Sequence, residues 1–170
     1  SQPNVTAEAS SHDELLPLVS AAACGADHGS LRPWRLIELR GDARARLGTA
    51  LAEASGADAE DTAKIAAKPM RAPLLIAVVL SLQPSLKVAD WEQEAGASGV
   101  AHTLSLLLDD AGWGVMWRSG HHTRSLPVRV MHGLADNEQL LGWLYVGGRP
   151  HREKPGQRNA LPAEQYLSVL

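Results

Sequence analysis

Apolar positions change their spacing from segment to segment along the chain, and those changes mark the elements. After a polar opening with Pro3 and Asn4, the residues Leu15, Leu16, Leu18 and Val19 cluster at helical spacing. Ser11 and Glu14 precede them at capping-box spacing, which predicts a helix from about Ser11 to Cys24-Gly25. Pro17 lies inside that pattern and should bend the helix or shift its start. Leu36, Ile37 and Leu39 make a short strand over 35–39. Leu47 and Leu51, one turn apart, predict a helix from Gly41-Asp42 to about Ala54. A more polar helix follows over Asp58–Lys68, stopped by Pro69.

Two later segments are the most apolar. Pro73–Leu82 is an almost unbroken hydrophobic run, which suits a strand buried on both faces. Ala95–Ala111 is apolar nearly all round, through Val100, Ala101, Leu104, Leu106, Leu107 and Leu108, and reads as a buried helix ended by Gly112. Gly96 and Gly99 would let another backbone come close to it. Beyond it come a strand over Gly114–Arg118, a short helix over Pro127–Leu134 and a strand over Gln139–Gly147. Gln165–Leu170 has strand character without a local partner, and residues 1–10 read as an extended arm. No internal repeat appears. The order predicts a layered α+β domain, its sheet covered by helices, and leaves the topology open.

Composition narrows the function. At 170 residues the chain reads as one domain, spanning 1–170. With no Phe and five Trp, its core must rest on Leu, Val, Ile and Ala. A formal net charge of −3 argues against a nucleic-acid binder. The one basic cluster, Arg149, His151, Arg152, Lys154 and Arg158, suits a single phosphate or a solvated tail. A single cysteine, Cys24, excludes an intrachain disulfide and CxxC metal spacing. The longest nearly apolar run, Ala72–Leu82, is too short to span a bilayer, which takes about 20 residues. The chain is expected to be soluble and cytoplasmic, with no signal peptide pattern at its start.

Three segments, in order, carry a resemblance. They are Asp27-His28-Gly-Ser-Leu-Arg32-Pro33-Trp34-Arg35; Trp91-Glu92-Gln93-Glu94, leading into the long helix; and Gly112-Trp-Gly-Val-Met-Trp117-Arg118-Ser119-Gly120, followed by Leu144-Tyr-Val-Gly147. Together they resemble the compact branch of the nitroreductase family over about Ser11–Gly148. The resemblance implies a mostly antiparallel sheet flanked by helices, in an intertwined homodimer. It implies two FMN molecules at the subunit interface, reduced by NAD(P)H in a ping-pong cycle that passes hydride through flavin N5 to a nitroaromatic or quinone. It also implies that a C-terminal extension, residues 149–170, reaches the partner subunit.

Site residues follow from the same resemblance. His28 matches a flavin-contacting position. Trp117, Arg118 and Ser119 match the segment beside the isoalloxazine, where main-chain N–H groups near Ser119 and Gly120 would face the flavin's N5 and O4 and stabilise incoming negative charge. The family opens with Arg-Arg-Ser on the FMN phosphate. Here Ser1 stands where that Ser would, and the expectation is that the chain begins just after the Arg pair. Cys24 replaces a flavin-contacting Arg of close relatives, leaving Arg149 and Arg152 to supply charge. A flavin-binding or merely dimeric protein with weak or no turnover is the alternative.

Other signals are weaker. His121-His122 lacks a third metal ligand, so no metal is expected. Cys24 and His28 could pair as thiolate and imidazole, but a nucleophilic site needs an orienting group and an oxyanion site as well. Glu92 and Glu94 suit helix capping better than acid–base work. Gly96 and Gly99 lie inside a helix and form no dinucleotide fingerprint. Trp34 is the other tryptophan to place near a flavin.

Overall fold

Alternation along one strand organises the molecule. In the computed structural model, which describes residues 1–151 and 160–169, strand β2 (Leu74–Ser81) is buried over nearly its whole length. Leu74, Ile76 and Val78 face one core, and Leu75, Ala77 and Val79 face the other. Such a strand belongs in the middle of a sheet, and β2 lies between β1 (Trp34–Leu39) and β4 (Glu138–Gly148), with β3 (Trp113–Arg118) at the far edge. All three pairings are antiparallel, giving the order β1-β2-β4-β3.

Helices cover both faces. Helices α1 (His12–Ala22) and α4 (Asp90–Asp110) bury Leu15, Ala22, Val100, Ala101, Leu104 and Leu108 against one side. Helices α2 (Asp42–Ser55) and α5 (Leu126–Met131) bury Leu47, Ala50, Leu51 and Val128 against the other, and α3 (Ala59–Ala66) packs on α2. The predicted α+β layering is therefore what forms. The capping box of α1 is made, since Ser11 accepts from the Glu14 N–H and Glu14 accepts from the Ser11 N–H. Pro17 sits within α1 without ending it.

Three expectations need correction. Helix α4 starts at Asp90 rather than Ala95, because its first turn is polar. Acidic residues there favour the positive helix terminus, and the Glu92 carboxylate accepts the Ala89 N–H at 3.0 Å. The helix is also not buried all round: Gln93, Ala97, Val100, Ala101, Leu104 and Leu108 form one buried face, while Trp91 and Leu106 are exposed. Finally, the described part of the C-terminal segment contains no strand. It makes a 3-10 turn over Ala163–Gln165, and Tyr166, Leu167 and Val169 are exposed.

The N-terminal arm is pinned to the sheet. Gln2 N–H donates to Val115 O and Thr6 N–H to Gly148 O, each at 2.8 Å. Val5 lies where Gly114 and Gly147 leave room, since a Cβ on either would come within 2.8 Å of its side chain. Among the described residues, no helix is long and apolar enough to cross a membrane.

Candidate functional site

The segment that ends β3 builds one wall of a cavity. Along β3, Met116 and Arg118 point to the α2 side, paired in register with Tyr145 and Trp143 of β4. Trp117 points the other way and packs its indole against the α1/α4 core. A 3-10 turn at Lys68–Arg71 closes the cavity from the chain just before β2. Residues three apart in such a turn eclipse, so Lys68 and Arg71 face the same way. Leu51 of α2 and His122, in the 3-10 turn after β3, complete the lining with Ser119 and Gly120. The volume is about 560 Å³, within the range of small-molecule sites.

Its electrostatics are one-sided. Lys68, Arg71 and Arg118 line the cavity, and among the described residues no carboxylate does. Burial, then His121 and Lys68, lower the His122 pKa and favour its neutral form. Burial raises the Tyr145 pKa, outweighing the pull of Arg118 and Arg71, so the phenol keeps its proton. The Arg118 guanidinium carbon lies 5.2 Å from the Tyr145 ring centroid, a cation–π contact. Among the described residues, the buried Arg118 Nε and Trp117 Nε1 have no hydrogen-bond partner. Unmet buried donors are rare in folded proteins, and of these two it is Arg118 whose side chain faces the cavity, while the Trp117 indole lies on the α1/α4 side. A smaller hollow joins Arg71 and Arg118 to Pro3, Asn4 and Val5 of the arm.

β4 must bend to let this wall form. Its pairing with β2 slips between Val78 and Val79, leaving Leu141 unpaired beside Gly142. Gly142 has a φ of 142°, a region that strongly favours glycine. The bulge brings β4 against the end of β3.

The sequence-derived candidates fall into separate places. Trp117, Arg118, Ser119 and Gly120 meet at the cavity. His28 lies on the α4 side of the sheet, in a groove of about 350 Å³ with Gly25, Ala26, Trp91, Glu92, Gly96 and Gly99. Its Nδ1 is 3.2 Å from Glu92 Oε1, and both Asp27 carboxylate oxygens accept N–H groups of its loop, from Leu31 and Arg32. Cys24 is exposed at the end of α1. Trp34 opens β1 and packs on the α1/α4 core. Ser1 is exposed one residue before Gln2, which bonds β3. Arg149 is engaged elsewhere, donating to Asp109 O at 2.6 Å and Asp109 Oδ1 at 2.7 Å, where it serves the C-terminal end of α4. Arg152, Lys154 and Arg158 lie outside the described residues. No group of three or more His, Cys, Asp or Glu poised for a metal occurs among the described residues.

Sequence reasoning passed over Lys68, Arg71, Trp143 and Tyr145. The available signal was Lys-Pro-Met-Arg directly ahead of the central strand, a place where a turn must present its cations at the sheet's end.

The geometry has parallels. The nitroreductase family model matches residues 4–148. “Putative NAD(P)H nitroreductase YdjA” of Escherichia coli (strain K12) is 33% identical over 138 residues, covering 79% of this chain and 75% of that protein. A nitroreductase-like family protein from Bacillus cereus superposes with a TM-score of 0.85 at 21% identity, covering 100% of this chain and 90% of the other. NfnB from sphigopyxis sp. strain HMH, described as an FMN and NADPH-dependent nitroreductase, superposes with a TM-score of 0.76 at 16% identity, covering 100% and 94%.

Proposed function

The chain belongs to the nitroreductase family, and from that premise we propose that it is an FMN-dependent oxidoreductase, taking hydride from NAD(P)H and delivering it to a small acceptor such as a nitroaromatic or a quinone. The observation that carries this reading is the cavity at the end of β3, which among the described residues has three cations, no carboxylate and a buried guanidinium nitrogen lacking a partner. An anionic, planar, partly apolar cofactor suits such a lining. FMN, when bound, supplies the hydride chemistry.

The chain's own residues bind and orient. Lys68 and Arg71 offset the negative charge of the flavin. Arg118, held over Tyr145, places its guanidinium at the cavity wall, and the main chain of Ser119 and Gly120 would offer N–H donors. Trp143 and Met116 exclude water from the inner side. No side chain is needed as a general acid at this site.

His28 would meet a flavin only from a second copy of the chain, since it lies across the sheet from the cavity. The homodimer is therefore part of the proposal. The α4 surface supports it, because Trp91 is 71% exposed and Leu106 57% exposed, large apolar side chains outside the helix's one buried face.

A second reading is a flavin-binding dimer with little turnover. It is favoured by Cys24 at an expected arginine position and by the engagement of Arg149 with Asp109. The test is anaerobic oxidation of NADH and NADPH with a quinone or nitroaromatic, with and without added FMN. FMN-dependent oxidation supports the enzyme. FMN binding without oxidation favours the second reading, and neither binding nor oxidation contradicts both.

A further inference from the structure

Behind the cavity, at the corner between α5 and β4, lies a histidine with both ring nitrogens committed. His132 is 8% exposed. Its Nδ1 lies 2.8 Å from the Val128 carbonyl oxygen, and its Nε2 lies 3.0 Å from Trp143 Nε1. An indole N–H only donates, so Nε2 must accept. Nδ1 therefore carries the proton and donates to Val128 O. Two partners fix one neutral tautomer. Trp143 is itself buried, and its ring lines the cavity beside Arg118, its partner in register.

We propose that His132 is a positioning residue for the cavity: its neutral imidazole anchors the Trp143 indole as a fixed wall, and a proton at Nε2 releases that wall. With Nε2 protonated, two N–H donors would face each other and the indole would lose its acceptor. The contact makes the inner face of the site sensitive to one buried group that touches neither flavin nor substrate. This inference rests on the cavity being the flavin site, whereas the His132–Trp143 contact does not.

The surroundings favour the neutral state. The titratable and charged side chains on the elements that meet here include Arg35 of β1, Glu138 of β4, Arg129 of α5, and His121, His122 and Arg124 of the 3-10 turn that packs on α5. Arg35 repels a second positive charge, and its two hydrogen bonds occupy the Glu138 carboxylate. Arg129 is engaged with the carbonyl oxygens of Glu138 and Ala135. Helix α2, which packs on α5, contributes Leu47, Ala50 and Leu51 to the same core.

The test uses the whole chain. In ¹⁵N-labelled protein the five tryptophans give indole signals, and the one missing from Trp143→Phe is assigned to Trp143. On acidification that signal is expected to shift in a single step and to exchange faster with water. In His132→Gln, whose amide offers both an acceptor and a donor, the signal should stay in place at all pH values. In His132→Phe it should move at every pH. FMN affinity and kcat/KM should fall about three- to tenfold in His132→Phe, the size expected for one lost net hydrogen bond, and recover in His132→Gln. The double variant with Trp143→Phe should lose no more than Trp143→Phe alone, because the histidine acts only through the indole. Additive losses, or a Trp143 signal unchanged in His132→Phe, would overturn the proposal. If the wild type binds no FMN, the functional reading of the cavity fails, and the indole signal still upholds or overturns the contact itself.

Discussion

Gly142 stands directly against the main chain of Arg118: a Cβ on residue 142 would lie 2.5 Å from the Arg118 carbonyl oxygen and 2.7 Å from Trp117 Nε1. The cavity wall exists because β4 carries no side chain there. Gly142→Ala is expected to destabilise the fold by at least about 1–3 kcal/mol from backbone strain and to weaken FMN binding as the 117–119 segment is pushed away. Gly56→Ala is the control. Gly56 also has a positive φ, of 57°, but a Cβ there would meet nothing within 4 Å. It should cost about 1 kcal/mol and leave FMN affinity unchanged. Thermal unfolding and FMN titration of both variants check the contrast.

Lys68 and Arg71 are expected to matter for ligand binding and little for folding. Both are exposed in the turn that closes the cavity. Replacing either with Ala should weaken FMN binding by about 1.5–3 kcal/mol, as for other charge-assisted hydrogen bonds, and change stability by less than about 0.5 kcal/mol. The wild type should lose FMN affinity as salt rises, and each variant should lose less. Isothermal titration across a salt series reads both effects.

The Arg35–Glu138 pair fastens β1 to the start of β4. The guanidinium donates to both carboxylate oxygens, at 2.6 and 2.7 Å, and Glu138 is 6% exposed. Arg35→Met strands a buried carboxylate and is expected to cost roughly 1.5–3 kcal/mol in urea unfolding. Arg35→Met with Glu138→Met should recover part of that loss, since an apolar pair avoids the unpaired charge.

Acidification should lower stability in two stages. Burial, outweighing the Val128 hydrogen bond, puts the His132 pKa below the ordinary 6.5. The unfolded chain then binds more protons as pH falls, so this contribution is full above 6.5 and is lost as pH drops through the folded value. The Arg35 hydrogen bond puts Glu138 below the ordinary 4.5, and its contribution is lost in the same direction at lower pH. Urea unfolding from about pH 8 to about pH 5 spans the histidine range. Over it the wild type should weaken more than His132→Gln.

The elements were legible where one signal dominated. The apolar run around Ile76 marked a central strand, and Ser11 with Glu14 marked the start of α1. The beginning of α4 was hidden because Asp90–Glu94 is polar and its stabilisation is electrostatic rather than apolar. The site was legible only in part. Trp117–Gly120 line the cavity, but linear spacing gives no side of the sheet, so His28 could not be separated from them. Lys68 and Arg71 were masked by Pro69, which reads as a helix stop and also starts the turn that presents them. The bulge at Gly142 lies inside an apolar run, Leu140–Val146, that reads as one continuous strand.

The function of this cavity turns on whether it holds a flavin that a nicotinamide can reduce. The direct measurement is the visible absorption spectrum of the protein mixed with FMN and passed over a desalting column, then mixed anaerobically with NADH or NADPH. The expected result is a flavin band that travels with the protein and bleaches on addition of one or both donors. A protein fraction with no flavin band, or a bound band that neither donor bleaches, would contradict it.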